Sequence, residues 1–426
     1  MARKRATTCR ASVATSFAIA TLVASMLVMP TPGRAQHDHG AHAGQHAAGN
    51  SRDGDCKEPA LVCATKVTPA FAPDGSLAIA FAAGGRVLVT RSSDLGRTFT
   101  APVAVTPKPM QLDWGPDARP KIAIDAQGRI HVAFAIFKDK AFNGQVFVSR
   151  STDGGGTFSV PLPITDVQES QRFEALAIDA DGSIFAAWLD KRPRIEARAR
   201  GEKYPGAALA FAWLGDGGAT IGATTLAKDE TCECCRLGVA FAGPGKPVVL
   251  FRNIFDKTTR DHAVIAFSDR NSPGPVRRVS VDDWKTDACP HHGPGLAVGR
   301  DGALHATWFT SGKARRGLFY ARSSDAGETF SEPLALGQSG RQPGHASVVA
   351  IDKKVWLAWK EFDGKATSIQ VMASSDGGKT WGAPRSAAQT HDASDLPLLI
   401  EHDRRPFLSW QTAANGYHVL PLEAAP

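Results

Sequence analysis

Two short segments of this sequence concentrate side chains that bind metal ions. The first is Cys232-Glu233-Cys234-Cys235-Arg236, and the second runs from Asp287 to His292 and contains one cysteine and two histidines. Thiolate and imidazole donors together suit Cu(I) or Zn(II), so the two segments predict a soft-metal site. Its predicted ligands are Cys232, Cys234, Cys235, Cys289, His291 and His292. Arg236 is expected to lower the pKa of the neighbouring thiols and keep them anionic.

Other chemistry remains open for these cysteines. In an oxidising compartment Cys289 can form a disulfide with one of the three clustered cysteines, whereas a bond between the adjacent Cys234 and Cys235 would be strained. A redox-active thiol is a further alternative. Cys56 and Cys63 lie close together in the sequence and are expected to form a separate disulfide.

Four arginines and a histidine form a second candidate site. They are Arg119, Arg172, Arg236, Arg341 and His345. If they face one opening, their charges would hold an anionic ligand such as a carboxylate, a phosphate, an acidic peptide or an acidic glycan. Structural alternatives are open for two of them, because Arg119 can bond loop carbonyls and Arg172 can pair with Glu174.

The elements that must position these residues alternate apolar and polar side chains with a period of two. A strand, a turn rich in Asp and Gly, and a second strand ending in Phe or Trp recur at a spacing of roughly 50 to 60 residues. The hairpins are Pro69 to Phe81, Lys121 to Phe134, Ala175 to Trp188, Leu237 to Phe251, Gly295 to Trp308, Ser347 to Trp359 and Pro397 to Trp410. This spacing is the span of a four-stranded blade, so the pattern predicts an all-β propeller with seven blades favoured and six as the alternative.

A propeller would bring the candidate residues together. The innermost strand of each blade begins at one rim of the central channel, so residues that precede the hairpins are expected to converge there. The final unit, from Ser394 to about Leu422, has room for three strands, and Ala60 to Val67 is predicted as a strand ahead of the first hairpin. The two ends are therefore expected to complete one blade together, which removes open sheet edges.

Four turns of nearly the same sequence accompany these hairpins. They are Ser93 to Phe99, Thr152 to Phe158, Ser324 to Phe330 and Ser375 to Trp381, and each combines Asp, Gly, Thr and an aromatic residue. The pattern resembles the Asp-box repeats of the sialidase (BNR) superfamily, and the resemblance covers essentially all of residues 56–426. It implies a β-propeller, and it implies a sialidase-type glycoside hydrolase as one candidate activity.

The residues that such an activity needs do not carry over from the resemblance. A sialidase requires three arginines for a carboxylate, a Tyr nucleophile backed by Glu, and an Asp acid/base. Where the family has Arg-Ile-Pro, this chain has Thr68-Pro69-Ala70-Phe71, and Tyr204 is the only tyrosine expected in a loop. The prediction is therefore a sialidase-like propeller that is not a true sialidase.

The beginning of the chain has the features of an export signal. Residues 1–35 combine a basic start, an apolar run and small residues before a cleavage site, and they predict a secreted protein, with the bacterial periplasm as its location. They hold five basic and no acidic side chains, so the net charge of +7 falls to +2 without them and nothing indicates nucleic-acid binding. No membrane span is expected after cleavage. Residues 36–55 are predicted to be a disordered linker, and their histidines can capture Cu or Zn.

Three classes of function follow from these observations. The first is a non-enzymatic secreted propeller that binds copper or zinc, or a metal-carrying protein, at its channel mouth. The second is a sialidase-like glycoside hydrolase. The third is a protein-interaction scaffold, for which the many predicted loops are the basis.

Overall fold

Each predicted hairpin forms an antiparallel pair of strands, and the second strand of the pair is buried along most of its length. The computed structural model describes residues 60–288 and 290–423, and these residues contain seven antiparallel sheets. The first strands of neighbouring sheets contact one another around a ring, which closes where the last sheet meets the first. The described residues thus form a seven-bladed β-propeller, which confirms the predicted fold and the favoured number of blades.

Strands β1 to β19 build the first four blades. Blade 1 contains β1 (Val67–Phe71), β2 (Leu77–Ala83), β3 (Arg86–Ser92) and β4 (Val103–Ala104). Blade 2 contains β5 (Leu112–Asp113), β6 (Lys121–Ile124), β7 (Ile130–Phe137), β8 (Gly144–Ser151) and β9 (Leu162–Pro163). Blade 3 contains β10 (Gln171–Ile178), β11 (Ile184–Asp190), β12 (Ala207–Gly215), β13 (Thr220–Ile221) and β14 (Thr225–Thr231). Blade 4 contains β15 (Gly238–Gly243), β16 (Lys246–Arg252), β17 (His262–Asp269), β18 (Ser272–Pro273) and β19 (Arg277–Arg278).

Strands β20 to β30 build the other three blades. Blade 5 contains β20 (Gly295–Val298), β21 (Leu304–Ser311), β22 (Arg316–Ser323) and β23 (Leu334–Leu336). Blade 6 contains β24 (Gly344–Ile351), β25 (Lys354–Phe362), β26 (Thr367–Ser374) and β27 (Arg385–Thr390). Blade 7 contains β28 (Leu398–His402), β29 (Arg405–Thr412) and β30 (Gly416–Pro421). A helix, α1 (Pro193–Ala199), is inserted between β11 and β12, and a 3-10 helix at Leu61–Cys63 precedes β1.

The hydrophobic core lies between neighbouring blades. Trp188 of blade 3 has no exposed surface and packs with Val146 and Val148 of blade 2. Trp308 of blade 5 packs in the same way with Leu250 of blade 4. Burial of one large apolar side chain contributes about 1.5–3 kcal/mol. Because each apolar sheet face is covered only by the next blade, the blades stabilise one another around the ring.

The Asp-containing turns follow the third strands and are held by their own hydrogen bonds. In blade 2, Ser151 Oγ donates to Asp153 Oδ1 at 2.7 Å and accepts from the Gly155 N–H at 2.7 Å. The N–H and hydroxyl of Thr157 also donate to the Asp153 carboxylate. The Ser and Thr hydroxyl bonds lower the pKa of this carboxyl group. The same contacts recur at Asp94, Asp325 and Asp376, which confirms the predicted structural role of the turns.

The ring is fastened where blade 7 meets blade 1. Asp395, which is 2 % exposed, accepts two hydrogen bonds from Arg119 at 2.9 and 2.7 Å and one from the Val67 N–H at 3.0 Å. Gln411 Nε2 donates to the carbonyl oxygen of Ala64 at 2.9 Å. Buried side chains therefore join the two ends of the propeller, which the sequence predicts to meet at one blade.

The segment ahead of β1 differs from the predicted strand. Residues 61–63 form the 3-10 helix, and Cys63 and Ala64 pack beside Tyr417 of β30. The sheet of blade 7 has three strands in the order β28-β29-β30 among the described residues. The turn lets Cys63 and Ala64 reach the core, so the ends meet through side-chain packing and not through a fourth ladder strand.

Several predictions fall outside the described residues. They concern the export signal at residues 1–35, the His-rich linker at residues 36–55, and Cys56. The Cys56–Cys63 disulfide therefore stays a prediction. Within residues 60–288 and 290–423, no helix has the length and apolar character needed to span a membrane.

Removing the carboxylate that fastens the ring should destabilise the protein strongly. Asp395→Ala leaves the guanidinium of Arg119, itself 4 % exposed, without its counter-charge. We expect the free energy of unfolding to fall by about 3–5 kcal/mol in urea denaturation. Glu328→Ala removes an exposed ion pair with Arg277 and is expected to cost less than about 1 kcal/mol. Equal losses in the two variants would show that Asp395 does not fasten the ring.

Candidate metal centre

The three neighbouring cysteines lie on the segment that links blade 3 to blade 4, on the face of the propeller where the first strands begin. The backbone N–H of Cys232 donates to the carbonyl oxygen of Arg252 at 2.9 Å, and Thr231 forms a β-bridge with Asn253. The preceding Glu230 has a φ of 56°, in the left-handed region. This backbone course turns the cysteine side chains into the interior, where each is 1 or 2 % exposed.

The sulfur atoms of Cys232, Cys234 and Cys235 form a compact group. All three lie within 4.8 Å of one another, and the sulfurs of Cys232 and Cys234 are 3.5 Å apart. None of the three is in a disulfide. Metal–sulfur bonds of about 2.3 Å place the sulfurs of one ion about 3.7–4.0 Å apart. The group can therefore accept a metal ion with only small side-chain movements.

The thiol group is polarised, with Cys232 as its anionic member. Hydrogen bonds from Cys234 and Cys235 lower the pKa of Cys232 well below its ordinary value, and Arg252 and Arg260 lower it further. Nη1 of Arg260 donates to Cys232 Sγ at 3.4 Å. The same network raises the pKa of Cys235, chiefly because its thiol donates to Cys232. The lowered pKa of Cys232 and the raised pKa of Cys235 make Cys232 the first of these two thiols to lose its proton as the pH rises.

The insertion between β11 and β12 covers the cysteine segment. Lys191 forms an ion pair with Glu233, whose side chain is partly exposed while its cysteine neighbours are buried. The hydroxyl of Tyr204 accepts a hydrogen bond from the Glu230 N–H at 3.1 Å. Burial raises the pKa of Tyr204 to about 12. Tyr204 therefore has a structural contact and lacks the activation that a nucleophile needs.

The two predicted metal-binding segments lie side by side, and one carboxylate joins them. Asp117 accepts a hydrogen bond from Arg236 Nη1 at 3.0 Å and another from the Gly293 N–H at 2.8 Å. Arg236 Nε also donates to the carbonyl oxygen of Pro294 at 3.0 Å. A Cβ at Gly293 would lie 2.1 Å from Arg236 Cγ, so glycine is required for this approach. The convergence predicted from the propeller fold therefore holds for these segments.

The histidines of the second segment are separate from the thiol group as placed. Among residues 60–288 and 290–423, no histidine nitrogen lies within 4.8 Å of all three sulfur atoms. His291 has a φ of 47° and lines a cavity of about 80 Å³ with Trp114 and Phe173. Cys289 lies outside the described residues. The structure thus brings together Cys232, Cys234 and Cys235, and the other three predicted ligands stay predictions.

His292 packs between two other rings. Its ring centroid is 4.3 Å from that of Phe309 and 4.5 Å from that of His345, and both pairs are stacked. Burial lowers the pKa of His292 to about 4 and that of His345 well below its ordinary value. Both imidazoles are therefore neutral at physiological pH, which is the state that binds metals.

Three of the four predicted binding arginines have carboxylate partners inside the protein. Their ion pairs are Arg119 with Asp395 at 2.7 Å, Arg172 with Asp113 at 2.5 Å and Arg236 with Asp117 at 3.0 Å. Arg119 also bonds the carbonyl of Pro116, the structural alternative considered for it, whereas Arg172 pairs with Asp113 and not with Glu174. Arg341 is exposed. An anionic ligand would compete with these carboxylates, so the contacts do not favour a cationic ring.

His262 carries little signal in the sequence, but its surroundings in the structure are unusual for a histidine. This residue opens β17 opposite Arg252, is 1 % exposed, and has no hydrogen-bond partner at either ring nitrogen. Burial lowers its pKa well below the ordinary value. Its only signal in the sequence was a histidine at the start of an apolar strand, followed by Ala-Val-Ile-Ala-Phe.

The comparisons with known proteins support the fold. No family model and no curated protein matches the chain. Among solved structures, polysaccharide lyase Uly1 aligns with a TM-score of 0.52 at 10 % identity, over 82 % of this chain and 88 % of that one. A polysaccharide lyase of family PL25, an ulvan lyase, aligns with a TM-score of 0.52 at 9 % identity, over 83 % and 91 %. The Hadza microbial sialidase Hz136 aligns with a TM-score of 0.46 at 19 % identity, over 71 % of this chain and 64 % of that one.

These likenesses are likenesses of architecture. At identities of 9 and 10 % such alignments show the fold alone, and a shared fold does not establish a shared chemistry. The two lyase alignments agree with the β-propeller architecture of the described residues. The described residues of this propeller hold a buried group of three thiols on one face.

Spectroscopy of the thiolate should identify Cys232 as the anionic residue. In metal-free, reduced protein the ultraviolet thiolate absorbance should persist below the pKa of about 8.5 that an ordinary cysteine has, because the folded-state pKa of Cys232 is lowered. Cys232→Ser should abolish this absorbance near neutral pH. Cys235→Ser keeps a hydroxyl donor toward Cys232 and should retain it. The assignment would be wrong if Cys235→Ser removed the signal and Cys232→Ser did not.

Proposed function

We propose that this protein binds a soft metal ion, Cu(I) or Zn(II), through Cys232, Cys234 and Cys235. The observation that carries the proposal is three sulfur atoms within 4.8 Å of one another, all buried and none in a disulfide. Structural thiols in an oxidising compartment are ordinarily paired as disulfides. A buried group of unoxidised thiols is instead suited to a ligand that thiolates bind strongly.

The number of sulfur ligands favours Cu(I) for the described group. Zn(II) takes four ligands in structural sites, whereas three thiolates, which no carboxylate of the described residues joins within 4.8 Å, offer a soft, low-coordinate site. Cys289 precedes Gly293 by four residues in the sequence, and Asp117 bonds both Gly293 and Arg236, so Cys289 is our candidate for a fourth ligand. Zn(II) binding would require that residue or a histidine, and Cu(I) binding would not.

The surrounding charges support an anionic metal–thiolate complex. Arg260 donates to Cys232, and the guanidinium of Arg252 lies close enough to lower the pKa of the same thiol. A Cu(I) ion with three thiolates has a net charge of −2, which these cations offset in a site of low dielectric. The two arginines would also hold Cys232 in place before the ion arrives.

We also infer the setting in which such a protein would work. The signal-like residues 1–35 suggest export, with the periplasm as the location, and the histidines of residues 36–55 would add weaker metal ligands next to the propeller. A metal ion or a metal-carrying protein would be its partner. Hydrolysis of glycans finds no support in the tyrosines, since Tyr320 and Tyr417 are buried and Tyr204 is hydrogen bonded.

Metal stoichiometry tests the proposal directly. Reduced, metal-free protein should take up one Cu(I) per chain under anaerobic conditions, in competition with a Cu(I) chelator that outcompetes isolated histidines. Cys232→Ser combined with Cys234→Ser should abolish this uptake, while His391→Ala, at an exposed histidine, should leave it intact. Cys289→Ser should weaken Zn(II) binding more than Cu(I) binding. Unchanged Cu(I) uptake in the double cysteine variant would overturn the proposal.

Metal uptake should depend on pH in a predictable direction. The raised pKa of Cys235 means that its thiol is protonated near neutral pH and must lose a proton to become a ligand. The apparent affinity for Cu(I) should therefore rise with pH, by about tenfold per pH unit for each proton released. Competition against a chelator that does not titrate between about pH 6 and pH 8 would measure this slope. A flat profile would contradict the assignment of a neutral thiol at Cys235.

A further inference from the structure

We propose that the metal ion reaches the thiol group through a pocket between blades 5 and 6, with His345 and then His292 as transient ligands. This inference rests on the proposed metal binding. Its physical basis is a set of buried imidazoles without hydrogen-bond partners, on the same face of the propeller as the cysteines.

The pocket has the size and lining of a binding site. Its volume is about 480 Å³, and its walls include His292, Phe309, His345 and Phe362. It opens on the face where first strands begin, because His345 lies at the start of β24 and Phe309 near the end of β21. The cysteine segment precedes β15 on that same face.

Three histidines in this region leave ring nitrogens buried and unpaired. They are Nδ1 of His292, Nδ1 of His345, and both nitrogens of His262. An unsatisfied buried polar atom costs about 1–3 kcal/mol, and native proteins keep few of them without a reason. Burial lowers the pKa of all three, so each offers a neutral imidazole with an available lone pair. These are the properties of ligands for a soft cation.

The arrangement suits successive binding and does not suit one shared site. The rings of His292 and His345 are stacked with an angle of 20° between their planes and centroids 4.5 Å apart, so their lone pairs lie in separate, nearly parallel planes and do not converge on one ion. No group of three ligand atoms that includes these histidines lies within 4.8 Å among the described residues. A metal ion that has lost its hydration water needs a protein ligand at each position along its path. The two stacked imidazoles can bind the ion in succession.

A chain of direct contacts connects the pocket to the thiol group. The ring of His345 stacks on His292, and the backbone carbonyl of His292 accepts a hydrogen bond from Arg252 at 3.1 Å. The backbone carbonyl of Arg252 accepts a hydrogen bond from the N–H of Cys232, and Arg252 Nη1 donates to the backbone carbonyl of Arg260. The side chain of Arg260 in turn donates to the sulfur of Cys232. The pocket and the thiols are therefore linked through adjacent residues of blades 4 and 5.

The backbone of His345, a residue that lines the pocket, is in the left-handed region. It has a φ of 53° and lies in a β-bulge between Gly344 and Ser347. Phe173 occupies the corresponding bulge position in β10, between Arg172 and Ala175, with a φ of 56°. The same conformation at two equivalent bulges belongs to the backbone of the propeller. The comparison also shows that the fold accepts phenylalanine at this backbone position.

The test measures the rate of Cu(I) uptake separately from its extent. Metal-free protein is mixed with the Cu(I)–bicinchoninate complex without oxygen, at protein concentrations where the rate depends on protein. Cu(I) keeps its oxidation state, moves from the chelator to the thiolates, and the displaced thiol protons enter the buffer. His345→Phe should slow uptake about tenfold, the effect of a barrier raised by about 1.4 kcal/mol, and leave the final stoichiometry unchanged.

Two further variants keep the test decisive. His418→Phe replaces an exposed histidine of β30 and should not change the rate. His345→Asn tolerates a positive φ and removes the imidazole in another way, so it should also be slow. If His345→Phe and His345→Asn take up Cu(I) at the rate of the unmodified protein, the access route is wrong and the metal site stands. If the unmodified protein takes up no Cu(I), both the site and its route are overturned.

Discussion

The closure of seven sheets into a ring is the constraint on which the rest of this structure depends. Each sheet has an apolar face that only the next blade covers, so no blade is stable by itself. The ring must therefore end where it began, and the buried carboxylate of Asp395 joins the two ends through Arg119 and the N–H of Val67. The Asp-containing turns serve the same architecture on the opposite face, where they hold the ends of the third strands.

Closure also determines which residues meet. The segments that precede the first strands of different blades are far apart in the chain, but the ring places their backbones on one face. Asp117 of blade 2 bonds both Arg236 and Gly293, and so holds the cysteine segment beside the histidine segment. The resulting interior contains polarised thiols and buried imidazole nitrogens without hydrogen-bond partners. Both features are expensive in an apolar core, and both are properties that metal coordination would use.

The sequence allowed the fold to be predicted almost completely, since hairpin periodicity and the repeated turns are local signals. The seven hairpins were located within a few residues of the observed strands. The start of the chain was harder, because residues 61–63 form a turn that is decided by packing against Tyr417. The candidate site was anticipated in its cysteines, which stand together in the sequence. His262 was missed because one histidine in an apolar strand carries no local signal, and its burial against Arg252 depends on strand pairing.

By itself, the sequence determined the all-β class, the favoured number of blades and the presence of a thiol-rich segment. Each of these depends on patterns among residues that are close together along the chain. Only the tertiary structure decided the roles of the charged and ring side chains. Arg119, Arg172 and Arg236 are ion-paired inside the protein, and His292 stacks on His345. These contacts join residues from different blades, and the distances between such residues are set by ring closure and not by sequence spacing.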